Sequence, residues 1–247
     1  MGYEIRDAGY NEKLMSSIVY LIPSVLDEAA VETIPAYVVD AIKQCQVFFV
    51  EDERTTRRYF KKIWKEMVID DYTWHTIEKP SERSIPAFKS VIQQGKNIGI
   101  VSDAGCPGIA DPGQWLVKAA HESNAIVKPL VGPNSILLAL MASGMNGQQF
   151  QFTGYLPIDA SERNKKIKDL EEESGRKNCT MVFIETPYRN NALLEALIKN
   201  SKPGTRLCIA AEVTAASEFI QTKTIGEWKK KLPDLHKKPA IFCLMAG

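Results

Sequence analysis

The densest run of residues able to hold a ligand spans Val101 to Gly113, in the order Val-Ser-Asp-Ala-Gly-Cys-Pro-Gly-Ile-Ala-Asp-Pro-Gly. Its glycines let a bound group approach the main chain, and its prolines stiffen the path. The run follows Asn97 to Val101, an apolar segment with the length of a buried strand. It therefore leaves the C-terminal end of that strand, where open parallel sheets collect their ligands. Such a loop suits a ligand held by main-chain amides and carbonyls with little need for charged side chains, a methyl-sulfonium nucleoside being one. A tight strand-to-helix connection is the competing reading. Val131-Gly132-Pro133-Asn134-Ser135 has the same character, and Asn134 or Ser135 can cap the helix that follows. Two Gly-Pro loops at the same end of neighbouring strands point to a ligand crevice.

Other chemistry is sparser. His75, His121 and His236 are dispersed, and Cys45, Cys106, Cys179, Cys208 and Cys243 show no CxxC spacing. A zinc site and a disulfide frame are therefore not expected, and no metal is assigned. Glu185 and Glu212 each follow a strand-like run, where they can serve a site or cap nearby amides. Glu53 to Met67 reads as a helix with two faces. Arg54, Arg58, Lys61, Lys62 and Lys65 share one side, and Phe60, Ile63, Trp64 and Met67 the other. The apolar stripe is read as core, and the basic stripe as a solvated face or a phosphate contact. Arg163, Lys165, Lys166 and Lys168 are read as partners of Glu171 to Glu173.

The elements that position these residues alternate between strand and helix periods. Strands are expected at Ser17–Ile22, Gln46–Val50, Asn97–Val101 and Ala125–Leu130. Helices are expected at Pro35–Gln44, Glu53–Glu66 and Ser84–Gln94, with another opened by Asp111 as N-cap and Pro112 as first residue. That pattern predicts an α/β fold with a mostly parallel N-terminal sheet flanked by helices. Beyond Gly132-Pro133 come a helix at Pro133–Ser143 closed by Gly144, and helices at Ser161–Glu173 and Tyr188–Asn200. Strands are expected there at Gln149–Thr153, Cys179–Ile184, Arg206–Ala211, Phe219–Thr222 and Ala240–Met245. The last two, adjacent around a short helix near Glu227, suggest a mixed C-terminal sheet. The expected domains are residues 1–130 and 131–247.

The composition is that of an ordinary globular protein, 45% hydrophobic and 25% charged. Lys and Arg number 31 against 30 Asp and Glu, so any RNA contact must come from a local patch. Met1 to Met15 is polar and mixed in charge, unlike a signal peptide. The longest apolar runs are too short to span a bilayer. A soluble, cytoplasmic protein with reduced thiols is expected.

The run from Ser102 to Gly113 closely resembles the SDAGTPxISDPG signature of bacterial 16S rRNA cytidine 2′-O-methyltransferases, a branch of the tetrapyrrole methylases. The resemblance continues in order along most of the chain. Glu51 to Thr56 is similar to that family's EDTRHT, Val131 to Gly144 to its PGPxxxxxALxxSG, and Phe152 to Pro157 to its FxGFLP. Glu185 to Arg189 is similar to E[ST]PHR, and Glu212 to Thr214 to part of RELTK. The resemblance implies two α/β domains, N-terminal on the acceptor side of a cleft and C-terminal on the cofactor side, in a homodimer. It implies S-adenosylmethionine as cofactor and a ribose of ribosomal RNA as methyl acceptor. The cofactor contacts implied are Asp103, Ala104, Gly105, Cys106, Pro107, Ile109, Asn134, Ser135, Glu185, Thr186, Glu212, Val213 and Thr214. Glu51, Asp52 and Arg54 become candidates for acceptor positioning or proton removal, with a structural ion pair as the alternative for Asp52 and Arg54.

Departures are equally specific. The family's first loop is a glycine-bearing TPIGNLxD, whereas this chain has Ile22-Pro23-Ser24-Val25-Leu26-Asp27-Glu28 without glycine. Cys106 stands for the usual Thr, and Ala211 and Ala215 stand for the Arg and Lys of RELTK. On this resemblance a chain ending at Gly247 is expected to lack the C-terminal extension common in the family. A small-molecule or tetrapyrrole methylase, or a non-catalytic cofactor-binding homologue, are the alternatives these departures keep open.

Overall fold

The computed structural model describes residues 17–78 and 81–247. The Met1 to Met15 stretch lies outside the described residues. The first half runs β1 (Ile18–Ile22), α1 (Tyr37–Gln44), β2 (Val47–Val50), α2 (Glu53–Ile63), β3 (Thr73–Thr76), α3 (Ile85–Gln93), β4 (Ile98–Val101), α4 (Gln114–Glu122) and β5 (Ile126–Pro129). Its strands form one sheet in the order β3-β2-β4-β1-β5, with every pairing parallel. All C-terminal strand ends therefore share one edge.

The second half runs α5 (Ser135–Ser143), β6 (Phe150–Tyr155), α6 (Ala160–Lys177), β7 (Thr180–Ile184), α7 (Asn190–Asn200), β8 (Arg206–Ala211), β9 (Phe219–Thr224), α8 (Ile225–Trp228) and β10 (Ala240–Met245). Its sheet has the order β6-β7-β10-β8-β9, with β6 and β7 parallel and the other pairs antiparallel. The mixed sheet is as expected, but β9 and β10 do not pair: β8 lies between them. The antiparallel β10 starts where β7 and β8 end, which brings three chain segments to one edge.

Alternate side chains point to opposite faces of a strand, and β2 shows the consequence. Phe48 packs with Tyr20, Val38, Ile42 and Phe60 beneath α1 and α2. Phe49 packs with Val19, Phe88, Ile100 and Leu116 beneath α3 and α4. In the second sheet, Met181, Phe183, Phe242 and Leu244 meet Leu170, Leu193 and Leu197 from α6 and α7 and Trp228 from the short α8. The opposite face, with Val182, Cys208, Ala210 and Cys243, is covered by Ile136, Ala139 and Leu140 of α5. The helix that follows the link from the first sheet thus packs on the second.

Several boundaries differ from expectation. Helix α2 stops at Ile63 because Trp64 turns extended, and the Lys61 ammonium takes the carbonyls of Lys65 and Met67 outside the helix. Phe60 and Met67 are still buried, as an apolar stripe requires. Strand β3 was not expected: it is a short edge strand of half-exposed residues, without an alternating apolar signal. Helix α4 begins at Gln114 with Gly113 before it, not at Pro112, because the Asp111 carboxylate folds back into its own loop. Glu171 does not serve the basic cluster of α6; it is buried and accepts from Lys202 N–H at 2.8 Å and Thr205 Oγ1 at 2.5 Å. Among the described residues, no helix is long and apolar enough to cross a membrane.

Strand β4 lies between β1 and β2, and at Gly99 a Cβ would come within 2.6 Å of the Phe48 ring and 2.7 Å of Ile22 Cδ1. Both neighbours are fully buried and have no room to retreat. Gly99→Ala is therefore expected to cost about 1–3 kcal/mol in urea unfolding, despite the better strand propensity of alanine. An unchanged midpoint would contradict this packing.

Candidate functional site

The site is built from loops at the strand ends. The loop after β1 and the loop after β4 exit side by side and exchange hydrogen bonds. Ser24 N–H donates to Gly105 C=O at 2.8 Å, and Gly105 N–H donates to Ser24 C=O at 3.2 Å. Ser24 Oγ adds a buried bond to Ser102 C=O at 2.8 Å. Gly105 has φ +75°, a conformation glycine adopts without penalty. The Tyr59 hydroxyl donates to Pro23 C=O at 2.8 Å, also in a buried setting. At Gly132 a Cβ would fall 2.1 Å from Pro23 Cβ, so the first loop packs directly on the Gly-Pro loop of residues 131–135. A first loop without glycine is thus held firmly, with the close approaches supplied by Gly105 and Gly132.

The loop from 102 to 113 carries its own ties. The Asp111 carboxylate accepts from Gly108 N–H at 2.8 Å and from Gly113 N–H at 2.6 Å. Burial pushes its carboxyl pKa up, and the two amide donors oppose that shift. The Cys106 thiol reaches Pro133 C=O at 3.5 Å and is kept protonated by burial, so it joins the two Gly-Pro loops as a hydroxyl would. Asn134 is the N-cap of α5, its Oδ1 accepting from Ile136 and Leu137 N–H at 3.1 Å each.

The second sheet contributes the facing edge. Glu185, at the end of β7, is buried and accepts from Thr186 N–H at 2.6 Å and from Arg189 Nη2 at 2.6 Å. After β8, Glu212 and Thr214 have φ of +53° and +74°. For a β-branched residue such as Thr214 this is a true outlier, costing roughly 1–3 kcal/mol, and such strain concentrates at functional sites. Glu212 N–H is held by Pro239 C=O at 2.9 Å, and its carboxylate pairs with Lys238 Nζ at 3.0 Å.

These edges enclose a cleft of about 350 Å³, within the roughly 300–1,000 Å³ of small-molecule sites. Leu26 and Asp27 line it from the first loop and Ala104 from the second. Ser135, Tyr155, Ile184, Glu185, Ala210, Glu212, Val213 and Ile241 are among the residues of the facing wall. A smaller cavity of about 130 Å³ adjoins it, sharing Leu26 and Ala104. Ser24, Glu28, Thr55, Arg58, Tyr59, Lys62 and Asp103 are among its lining residues.

Of the residues singled out in the sequence, Ala104, Ser135, Glu185, Glu212 and Val213 line the larger cleft, and Asp103 the smaller cavity. Gly105, Cys106 and Asn134 shape the loops without lining either space. Pro107 is buried, Ile109 is exposed, and Thr186 donates to Glu185. Thr214 lines a separate surface hollow with Leu138, Met141 and Ile220. Glu51, Asp52 and Arg54 line neither cavity of the cleft. The Glu51 carboxylate accepts from Asp103 N–H at 3.2 Å, Asp52 is the N-cap of α2 through Thr55 N–H at 2.7 Å, and Arg54 is exposed. Not singled out for the cleft were Leu26, Asp27, Tyr155, Ile184, Pro187, Ala210, Ala215 and Pro239 to Ile241. Tyr155 lies within the Phe152 to Pro157 resemblance, which carries no site role, and the start of β10 bears no local signal.

Residues 30–229 match the family model for Tetrapyrrole (Corrin/Porphyrin) Methylases. The chain belongs to the tetrapyrrole methylase family. Within it, the chain is 32% identical over 223 residues to a Ribosomal RNA small subunit methyltransferase I of Bacillus subtilis (strain 168), covering 90% of this chain and 72% of that relative. It is 31% identical over 182 residues to the protein of the same name from Micromonospora olivasterospora, covering 74% of this chain and 55% of the other. The tetrapyrrole methylase fold is shared with the crystal structure of the methyltransferase CobJ, with a TM-score of 0.62, 16% identity and coverage of 94% and 95% of the two chains.

Tyr59→Phe removes the donor to a buried carbonyl and is expected to cost about 1–3 kcal/mol. Amide exchange at Ser24 and Gly105 should quicken as the first loop loosens. Unaltered protection at those two amides would show that Tyr59 does not hold the loop.

Proposed function

We propose that this chain is an S-adenosylmethionine-dependent methyltransferase acting on ribosomal RNA, with a ribose 2′-hydroxyl as acceptor. The observation that carries the reading is the pair of joined cavities, an apolar cleft of cofactor size beside a smaller space rimmed by Arg58 and Lys62. Leu26, Ile184, Ala210, Val213 and Ile241 suit an adenine ring and the alkyl arms of a sulfonium. Ala104 on the 103–105 loop and Glu212 and Val213 after β8 approach the same region from opposite walls. Glu185 and Glu212 line the cleft with their carboxylates already paired to Arg189 and Lys238. When bound, the cofactor supplies an electrophilic methyl group on a positively charged sulfur.

The task of the chain is then alignment of the acceptor oxygen with that methyl group. Residues 1–130 form the acceptor side and residues 131–247 the cofactor side. Ala104 meets the cofactor from the first half, with Asp103 beside it at the acceptor cavity, and Ser135, Glu185, Glu212 and Val213 meet it from the second. Glu51 acts through Asp103 as a positioning residue, and Asp52 and Arg54 set the start of α2 at the acceptor cavity. The names of the relatives, and the cations of α2 on a chain of net charge +1, support RNA as the substrate. Such a substrate and five free cysteines fit the cytoplasm. The exposed Leu137 and Met141, one turn apart on the apolar helix α5, fit the interface of a homodimer.

Ala104 is exposed and belongs to both cavities, so Ala104→Trp fills their junction with little cost to folding. Calorimetric titration with S-adenosylmethionine should show about one site per chain for the wild type. The variant should bind at least roughly tenfold more weakly at an unchanged melting temperature. Equal affinity in the two proteins would place the cofactor elsewhere.

A further inference from the structure

Glu28 lies on the first loop, far in sequence from α2, yet its carboxylate spans two cations of that helix. Oε1 is 3.3 Å from Arg58 Nη2 and Oε2 is 3.1 Å from Lys62 Nζ, and Lys62 also donates to Glu28 C=O at 3.1 Å. Arg58 and Lys62 are one helical turn apart and present their charges together. Among the described ion pairs, Glu28 is the carboxylate shared by two cations. All three side chains line the smaller cavity, which joins the cofactor cleft through Leu26 and Ala104.

From this geometry we infer that Arg58 and Lys62 form a subsite for one backbone phosphate of the RNA acceptor, and that Glu28 occupies it as an internal stand-in until RNA displaces it. The inference rests on the RNA reading above and specifies how the acceptor docks. The two carboxylate oxygens, each on its own cation, reproduce what the two non-bridging oxygens of a phosphodiester offer. Lys62 and Arg58 hold the Glu28 carboxyl below its ordinary pKa, so the stand-in is anionic at neutral pH. The Glu28 side chain is 67% exposed, and ion pairs so placed contribute little to folding. Exchanging one anion for another is therefore cheap, and the pairing is better explained as a displaceable contact than as a structural one. Displacement also frees one end of the loop whose Leu26 and Asp27 line the cofactor cleft. Acceptor docking and the cofactor wall are linked through that loop.

The test compares binding of in-vitro-transcribed small-subunit ribosomal RNA to the full chain and its variants at fixed salt. Glu28→Gln should tighten binding roughly two- to fivefold, the scale of an exposed ion pair. Glu122→Gln breaks the exposed Lys89–Glu122 pair with the same charge change and should have no such effect. In an Arg58→Gln/Lys62→Gln background, Glu28→Gln should change nothing. Equal gains from both Gln variants, or a gain that survives without the two cations, would overturn the inference. A parallel titration with inorganic phosphate, followed by the Arg58 Nε resonance, separates the two readings. A shift at lower phosphate in Glu28→Gln than in wild type, with no RNA binding, would keep the anion subsite and reject RNA. No difference between the two proteins would reject the subsite itself.

Discussion

The exchange of hydrogen bonds between Ser24 and Gly105 is the constraint on which the cleft depends. Strands β1 and β4 are parallel neighbours, so their loops leave the sheet together, and this bridge extends their pairing beyond the strands. Leu26, Asp27 and Glu28 on one loop, and Asp103 and Ala104 on the other, take their places from it. Three further contacts hold the bridge in place: Tyr59 on Pro23, Gly132 against Pro23, and the Cys106 thiol on Pro133. Together they brace the first-half wall of the cleft from α2 and from the link to the second half.

The opposite wall follows a different logic. Because β10 runs antiparallel between β7 and β8, its start lies beside their ends, and Ala240 and Ile241 face the cleft beside Ala210 and Ile184. Helix α5 ties the halves together. It takes its cap from Asn134 in the second Gly-Pro loop, gives Ser135 to the cleft, and packs its body on the second sheet. The positive φ values at Glu212 and Thr214 lie on the same edge. The turn there is closed by its own bonds, Glu212 N–H to Pro239 C=O at 2.9 Å and Thr214 N–H to the Glu218 carboxylate at 2.8 Å.

Much of this was legible in the residues. Arg206–Ala211 and Ala240–Met245 are strands with the bounds their apolar runs suggest, and Gly144 ends α5 in the left-handed conformation glycine favours. The glycines and prolines of Ser102–Gly113 marked a loop at a strand end, and that loop gives Asp103 and Ala104 to the two cavities. What escaped was of three kinds. Strand β3 lacks an alternating pattern because it sits at a sheet edge with half-exposed side chains. Asp111 looked like a helix cap, since cap and loop tie use the same carboxylate and only the fold decides between Gly108 and the helix amides. Contacts such as Glu28 with Lys62, or the place of β10 between β7 and β8, join distant segments and leave no local trace. The resemblance to a known family picked out the candidate loops and the helix period picked out the basic stripe with Arg58 and Lys62; their pairing with Glu28 at the smaller cavity came from the fold.

Methyl transfer itself gives the most direct test. Small-subunit ribosomal RNA transcribed without modification would be incubated with the protein and S-adenosylmethionine labelled in the methyl group, then hydrolysed in alkali. A methylated 2′-hydroxyl blocks cleavage at its own phosphodiester, so the expected label lies in an alkali-resistant dinucleotide, and is absent with Ala104→Trp. Label released in mononucleotides, or no transfer from a protein that binds the cofactor, would contradict a ribose-methylating cleft.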